Sequence, residues 1–270
     1  MLPNFKEKYK SNVVFTPEMA LHYRIKREGK PNFPVPKAVI FCVNKELLNY
    51  ILKNNEYDEV EGFFASCYFL RKENMLVVSK FGIGAPTTIS LLEELIAYGI
   101  KNFISIGNAG GISPDVNIGD IVVCEKAIRD EGVSYHYVPA AKYAHSSSNM
   151  TKVLKEVLVN ENVDFHSGVS WTTDAFFRET IEEVKHYQQE GVLTVEMEAS
   201  ALFAVADYRD VNISVLFTIS DSLADLKWEP KWHSPEVKYS YEKLFKASVE
   251  TINKIESEEI KEIYNKSQLS

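Results

Sequence analysis

Val192-Leu193-Thr194-Val195-Glu196-Met197-Glu198-Ala199-Ser200-Ala201-Leu202-Phe203-Ala204-Val205-Ala206 is the stretch on which the reading of this chain turns. It begins with residues that favour a strand and continues as an Ala-rich apolar run that favours a buried helix. Two carboxylates and a methionine therefore stand at the corner where strand becomes helix. Acids among apolar neighbours are costly to bury without partners, so the corner either satisfies them internally or offers one to a ligand with hydroxyl donors. Read for structure, Glu196 and Glu198 are acids favoured by the helix dipole, with Met197 in the core. Read for function, a carboxylate at such a corner points out of a buried sheet into a crevice.

The flanking sequence repeats the strand-then-polar-corner pattern. Downstream, Ile213-Ser214-Val215-Leu216-Phe217-Thr218-Ile219 reads as a strand buried on both faces, with Ser220-Asp221 just past its end. Asp221 is a second carboxylate for the crevice, or else a cap for the next segment. Upstream, Ala38-Val39-Ile40-Phe41-Cys42-Val43 is another buried run, followed by Asn44-Lys45-Glu46. Open α/β sheets bind ligands beyond the carboxyl ends of their strands, which makes Glu46 a candidate acid or base. Its plainer role is an acid in a first helical turn. Two Gly-rich segments, Gly82-Ile83-Gly84-Ala85-Pro86-Thr87 and Gly107-Asn108-Ala109-Gly110-Gly111, each follow an apolar strand and read as loops lining one crevice. After the strand His166–Trp171, the aromatic pair Phe176-Phe177 offers a platform for a planar ring. Thr16-Pro17-Glu18 opens a short helix through about Arg27 that carries the basic cluster around Arg24. Residues 224–240, with Trp228, Pro230, Trp232 and Pro235, read as an irregular lid or packing segment, and a long helix closes the chain.

Composition bounds the function. A chain of 270 residues with 45% apolar content supports one substantial core. The net charge of −8, with no basic block, argues against nucleic acid or an anionic membrane as partner and for a small molecule. Cys42, Cys67 and Cys124 are isolated in apolar runs, which suggests neither disulfides nor a metal site and fits a reducing compartment. The charged N-terminus lacks an apolar signal region, so the expectation is a cytoplasmic, soluble protein.

Taken together, Gly82-Ile83-Gly84-Ala85-Pro86-Thr87, Gly107-Asn108-Ala109-Gly110-Gly111, Val195-Glu196-Met197-Glu198-Ala199 and Ser220-Asp221 resemble the nucleoside phosphorylase superfamily. That group includes uridine phosphorylase, hexameric purine nucleoside phosphorylase and methylthioadenosine nucleosidase. The resemblance implies a single-domain α/β phosphorylase/hydrolase-like fold over residues 37–270, with a mixed, partly barrel-like central sheet flanked by helices. Residues 1–36 would be an N-terminal extension packing on the domain or on a neighbouring subunit. It also implies a homo-oligomer, a dimer, trimer of dimers or hexamer, that uses no cofactor or metal and takes phosphate as co-substrate.

Carried over to this chain, the resemblance gives Glu198 the ribose hydroxyls, with Glu196 beside it and Met197 beneath the sugar. Phe176 would stack on the base, and Asp221, oriented by Ser220, would protonate or hydrogen-bond a leaving purine. Gly84, Asn108, Ala109 and Gly110 would line the site, with Gly84, Asn108, Arg24 and Lys45 as candidate phosphate contacts. Breaking an N-glycosidic bond leaves an oxocarbenium-like sugar and an electron-rich base, so sugar acceptors and a proton donor at the base are the groups required. The chain departs from the phosphorylase pattern at two arginines. The first region reads Val43-Asn44-Lys45-Glu46-Leu47, and Ser105 stands where the second arginine would be. Glu46 falls where the nucleosidase branch carries a water-activating glutamate. The expectation is phosphorolysis of a purine nucleoside, with two alternatives: hydrolysis through Glu46, and a non-catalytic binder of nucleoside or base.

Overall fold

The computed structural model describes residues 5, 7–31 and 33–268. Residues 1–4, 6 and 32 of the expected N-terminal extension lie outside the described residues. In chain order the helices are α1 (Pro17–Glu28), α2 (Lys45–Asn54), α3 (Ala85–Ala97), α4 (Ser148–Asn160), α5 (Ile181–Gln189), α6 (Ala199–Arg209) and α7 (Pro235–Gln268). The strands are β1 (Ala38–Cys42), β2 (Tyr57–Val60), β3 (Ser66–Leu70), β4 (Met75–Ser79), β5 (Asn102–Gly111), β6 (Ile121–Asp130), β7 (Tyr143–His145), β8 (His166–Thr173), β9 (Val192–Glu196), β10 (Asn212–Ser222) and β11 (Glu229–Pro230).

The strands form one mixed sheet in the order β11-β10-β6-β8-β9-β5-β1-β4-β3-β2, with β7 on β6 and an added pairing of β10 with β5. That added pairing closes five strands, β5, β10, β6, β8 and β9, into a barrel, as the partly barrel-like expectation has it. The seam is short: β5 meets β9 only through Gly110 with Val195 and Gly111 with Thr194. From β5 the sheet opens outward through parallel β1 and β4 and antiparallel β3 and β2.

Apolar side chains cover both faces of the open wing. Phe41, Val39 and Phe103 pack toward the side of α3 and α6, while Ile40, Ile104 and Ile106 pack with side chains of α2, α4 and α7. This two-sided burial is why β1 and the first half of β5 read as continuous apolar runs. α1 begins as its sequence predicts, with Thr16 Oγ1 accepting from Met19 N and Pro17 in the first turn.

Two features differ from the sequence reading. Gly107–Gly111 is the second half of strand β5, not a loop, because β10 runs parallel beside it as far as Ser222. The glycines permit that closeness: a Cβ on Gly110 would lie 3.0 Å from Leu223 Cδ1 and 3.1 Å from Val195 Cγ1. Ser220 and Asp221 likewise lie within β10, where the register slips between Ile219 and Asp221, so that Ile219 faces Ala109 and Asp221 faces Gly110. Residues 224–234 are the irregular segment expected, except that Glu229 and Pro230 pair back onto Ser222 and Asp221 as β11.

Candidate active site

The two acids of the decisive corner have separate jobs. Glu196 closes β9 and is 7% exposed. One of its oxygens accepts from the hydroxyls of Thr172 and Ser170, and the other from the backbone amides of Glu198 and Ala199, both at 2.7 Å. It therefore satisfies the first amides of α6, which would otherwise be orphaned. Burial, and then the charge of Glu198, push its carboxyl up to about 7 against the pull of those donors. Glu196 has both carboxylate oxygens taken up by the fold's own donors, which makes it a structural acid of the corner.

Glu198 is the N-cap of α6, and its side chain turns away from that helix. Oε1 accepts from Gly84 N at 2.5 Å, the carboxylate's one hydrogen bond in full geometry among the described residues, and the Met197 amide also lies near enough to favour its charged form. Gly84 has φ of +92° and opens α3; a Cβ there would lie 3.9 Å from Met197 Cε. Gly84, Met197 and Glu198 thus form one cradle with a carboxylate oxygen free to accept. Burial raises the Glu198 carboxyl, partly offset by the Gly84 amide.

Asp221 meets the cradle's sheet from the far side of Gly110, with Oδ2 3.4 Å from where a Gly110 Cβ would be. Ser220 Oγ donates to Oδ1 at 2.7 Å, Trp232 Nε1 to Oδ1 at 3.2 Å and Trp228 Nε1 to Oδ2 at 2.9 Å. The loop after β8 links the two ends. Asp174 lies close enough to Glu198 to raise its carboxyl, and Glu179 is itself pushed up to about 7 by burial and then by Asp221. Between them, Phe176 is 42% exposed, with its ring centroid 3.9 Å from that of Phe177. Glu179 was missed in the sequence, where it reads as one more polar residue before the Thr180 capping box.

Glu46 lies at the start of α2, where Asn44 caps the helix by accepting from Glu46 N and Leu47 N. Its Oε1 lies 3.0 Å from His233 Nδ1, and its Oε2 lies 4.0 Å from Lys238 Nζ. Around it, Glu46 Oε2, Asn108 Oδ1, Thr218 Oγ1 and Tyr241 OH are buried without a hydrogen-bond partner. Asn108 and Thr218 are neighbours in register on β5 and β10. The Asn108 and Asn44 amides lie beside the Tyr241 hydroxyl, yet none of these groups reaches hydrogen-bonding geometry with it.

The candidate cations fare differently. Arg24 is held by Glu94 of α3, at 2.9 and 2.6 Å, and by the carbonyl of Gly62. That bidentate pair anchors α1 to the domain and occupies the guanidinium proposed for phosphate. Arg129 is turned inward to Ser134 Oγ and the Pro139 carbonyl. Lys45 is exposed at the first turn of α2 and pairs with no acid among the described residues. Ala109 packs into the core and presents only backbone. Among the described residues no group of three or more His, Cys, Asp or Glu could hold a metal ion, and no helix is long and apolar enough to cross a membrane.

Known proteins share this sequence and architecture. A purine nucleoside phosphorylase of DeoD type from Caldanaerobacter subterraneus is 31% identical over 169 residues, covering 62% of this chain and 72% of the relative. One from Clostridium beijerinckii is 29% identical over 205 residues, covering 74% and 84%. Among solved structures, uridine phosphorylase from Vibrio fischeri superposes with a TM-score of 0.70 at 24% identity, covering 83% of this chain and 93% of that one. Purine nucleoside phosphorylase from Toxoplasma gondii gives 0.73 at 18% identity, covering 83% and 92%. Both structural likenesses are of fold. A family profile described as the phosphorylase superfamily matches residues 37–252, from β1 into α7, and on that match the chain belongs to the phosphorylase superfamily.

Proposed function

We propose that the protein is a nucleoside phosphorylase that cleaves the N-glycosidic bond of a purine nucleoside with orthophosphate, giving free base and pentose 1-phosphate. The observation that carries this reading is the pairing of an open sugar acceptor with an acid one strand away. Glu198 keeps one oxygen free in the Gly84–Met197 cradle, while Asp221 stands across Gly110, and the Phe176 loop runs between them.

In the reaction a phosphate oxygen forms a bond to C1′ as the bond from C1′ to the base nitrogen breaks. The bonding electrons leave with the base, where a proton must arrive. Glu198 accepts from the ribose hydroxyls and orients the sugar, Met197 packs beneath it and Phe176 stacks on the heterocycle. Asp221 is the group that bonds to or protonates the leaving base, with Ser220 orienting it. Asn108 and the Gly84 turn, whose own amide is held by Glu198, would border the co-substrate, with exposed Lys45 as the cation at hand. Relatives near 30% identity bear phosphorylase names, which favours phosphate over water activated by Glu46, and catalysis over simple binding.

The same reading extends to the assembly. The exposed residues Phe15, Met19 and Tyr23, at helical spacing on and beside α1, support association of copies through the N-terminal extension. Three buried unpaired thiols suit a cytoplasmic setting. Incubating the purified protein with inosine, adenosine and uridine, with and without orthophosphate, tests the proposal. Base release coupled to pentose 1-phosphate formation is expected, fastest with a purine. Release at equal rates without phosphate overturns it.

A further inference from the structure

The segment between β10 and α7 folds back onto the acid it follows. Lys231 N donates to Ser220 O at 2.9 Å, and Pro230 and Glu229 pair with Asp221 and Ser222. That turn brings Trp228 and Trp232 together over Asp221 as a tilted aromatic pair, with ring centroids 5.4 Å apart. The two residues are 58% and 46% exposed, so neither is buried in the core. Each indole N–H donates to Asp221, one to each carboxylate oxygen. An indole is a donor only, and two adjacent ones, each aimed at a different oxygen of one carboxylate, fix its plane as a bidentate partner would. The adjacent His233 reaches Glu46 at the other strand end, which ties down the far side of the same strap.

From this geometry we infer that Trp228 and Trp232 are positioning residues for Asp221, a two-indole clamp that sets the angle at which the carboxyl group meets the leaving base. The inference rests on the proposed function for what Asp221 does, but the clamp itself does not. Without the indoles the carboxyl turns about its side-chain torsions with only Ser220 to restrain it. A group displaced by a fraction of an ångström from the proton it handles loses rate rather than substrate affinity.

The test uses the full-length protein with Trp228→Phe and Trp232→Phe, each alone and each combined with Asp221→Asn. With inosine and orthophosphate, each Phe variant is expected to lower kcat about 10- to 100-fold while KM stays within about twofold. In the Asp221→Asn background the Phe substitutions are expected to cost nothing more, because two residues acting through one group are not additive. Kcat at the wild-type value in both Phe variants overturns the inference, and so does an equal further loss in the Asp221→Asn background. Tryptophan emission supplies a readout that needs no turnover: Asp221→Asn is expected to shift it, and the shift is expected to vanish when both tryptophans are Phe. A wild-type protein that cleaves no nucleoside sinks the proposed function. The clamp then stands or falls on the emission alone, and emission unchanged by Asp221→Asn overturns it.

Discussion

Glu196 and Glu198 are two residues apart, chemically identical and on the same corner, yet one is closed to ligands and the other open. Glu196 still belongs to β9, so its side chain faces the start of α6 and takes up the amides there along with the hydroxyls of β8. Glu198 is already the cap residue, and it reaches across to a single amide on α3. Backbone position, not residue type, decides which acid completes the fold and which keeps an oxygen outside it. Because the first acid removes the helix's own demand for an acceptor, the second is free for other use.

Substitutions at the two positions are expected to separate activity from stability. Glu198→Ala should lower kcat/KM by about 10²- to 10³-fold, the scale of losing charge-assisted bonds made to a reacting sugar, while the unfolding midpoint in urea moves little. Glu196→Ala should do the reverse. It strands the two α6 amides and the Thr172 hydroxyl in the core, and a loss of about 3 kcal/mol or more in unfolding free energy is expected from chemical denaturation. Equal activity losses at unchanged stability in both variants would break the contrast.

A smaller effect sharpens it. The Glu196 carboxyl is raised from 4.5 to about 7, so between those values the folded chain holds a proton that the unfolded chain has released. Stability from this group is therefore greatest below about pH 4.5 and declines as pH rises through 7, by an amount on the order of 1–3 kcal/mol. Glu179 acts in the same direction. Denaturation curves of wild type and Glu196→Gln across that window should diverge, with the Gln variant flatter. A parallel pair of curves would show that Glu196 does not carry the slope. Smallest of all, Gly110→Ala should cost about 1–2 kcal/mol by crowding Leu223 and Val195, read as a lowered Tm.

Much of this architecture was legible before any coordinates. Apolar runs marked β1, β5 and β10 because both of their faces are covered, and burial of that kind leaves a mark on every residue of the run. The Glu198 corner, the Gly84 turn and Asp221 were visible as polar residues interrupting apolar ones. Closure of the barrel is implied by the family resemblance alone, since it depends on two residue pairs between β5 and β9 that are far apart in sequence. For the same reason Gly107–Gly111 passed for a loop: glycine signals a turn locally, and only the crowd of side chains around it reveals a strand. Glu179 and the tryptophan clamp were hidden in short polar segments whose meaning lies in the partners brought to them. Arg24 reads locally as a free cation on a basic helix, and the acid that holds it, Glu94 on α3, lies far along the chain.

The slip between Ile219 and Asp221 sets the phase of the strand's end. Side chains alternate along a strand, so Asp221 would ordinarily look the same way as Ile219; the added residue turns it to the Gly110 side instead. A strand without the slip at Ser220 would keep the acid in its sequence and turn its side chain to the face that Ile219 takes.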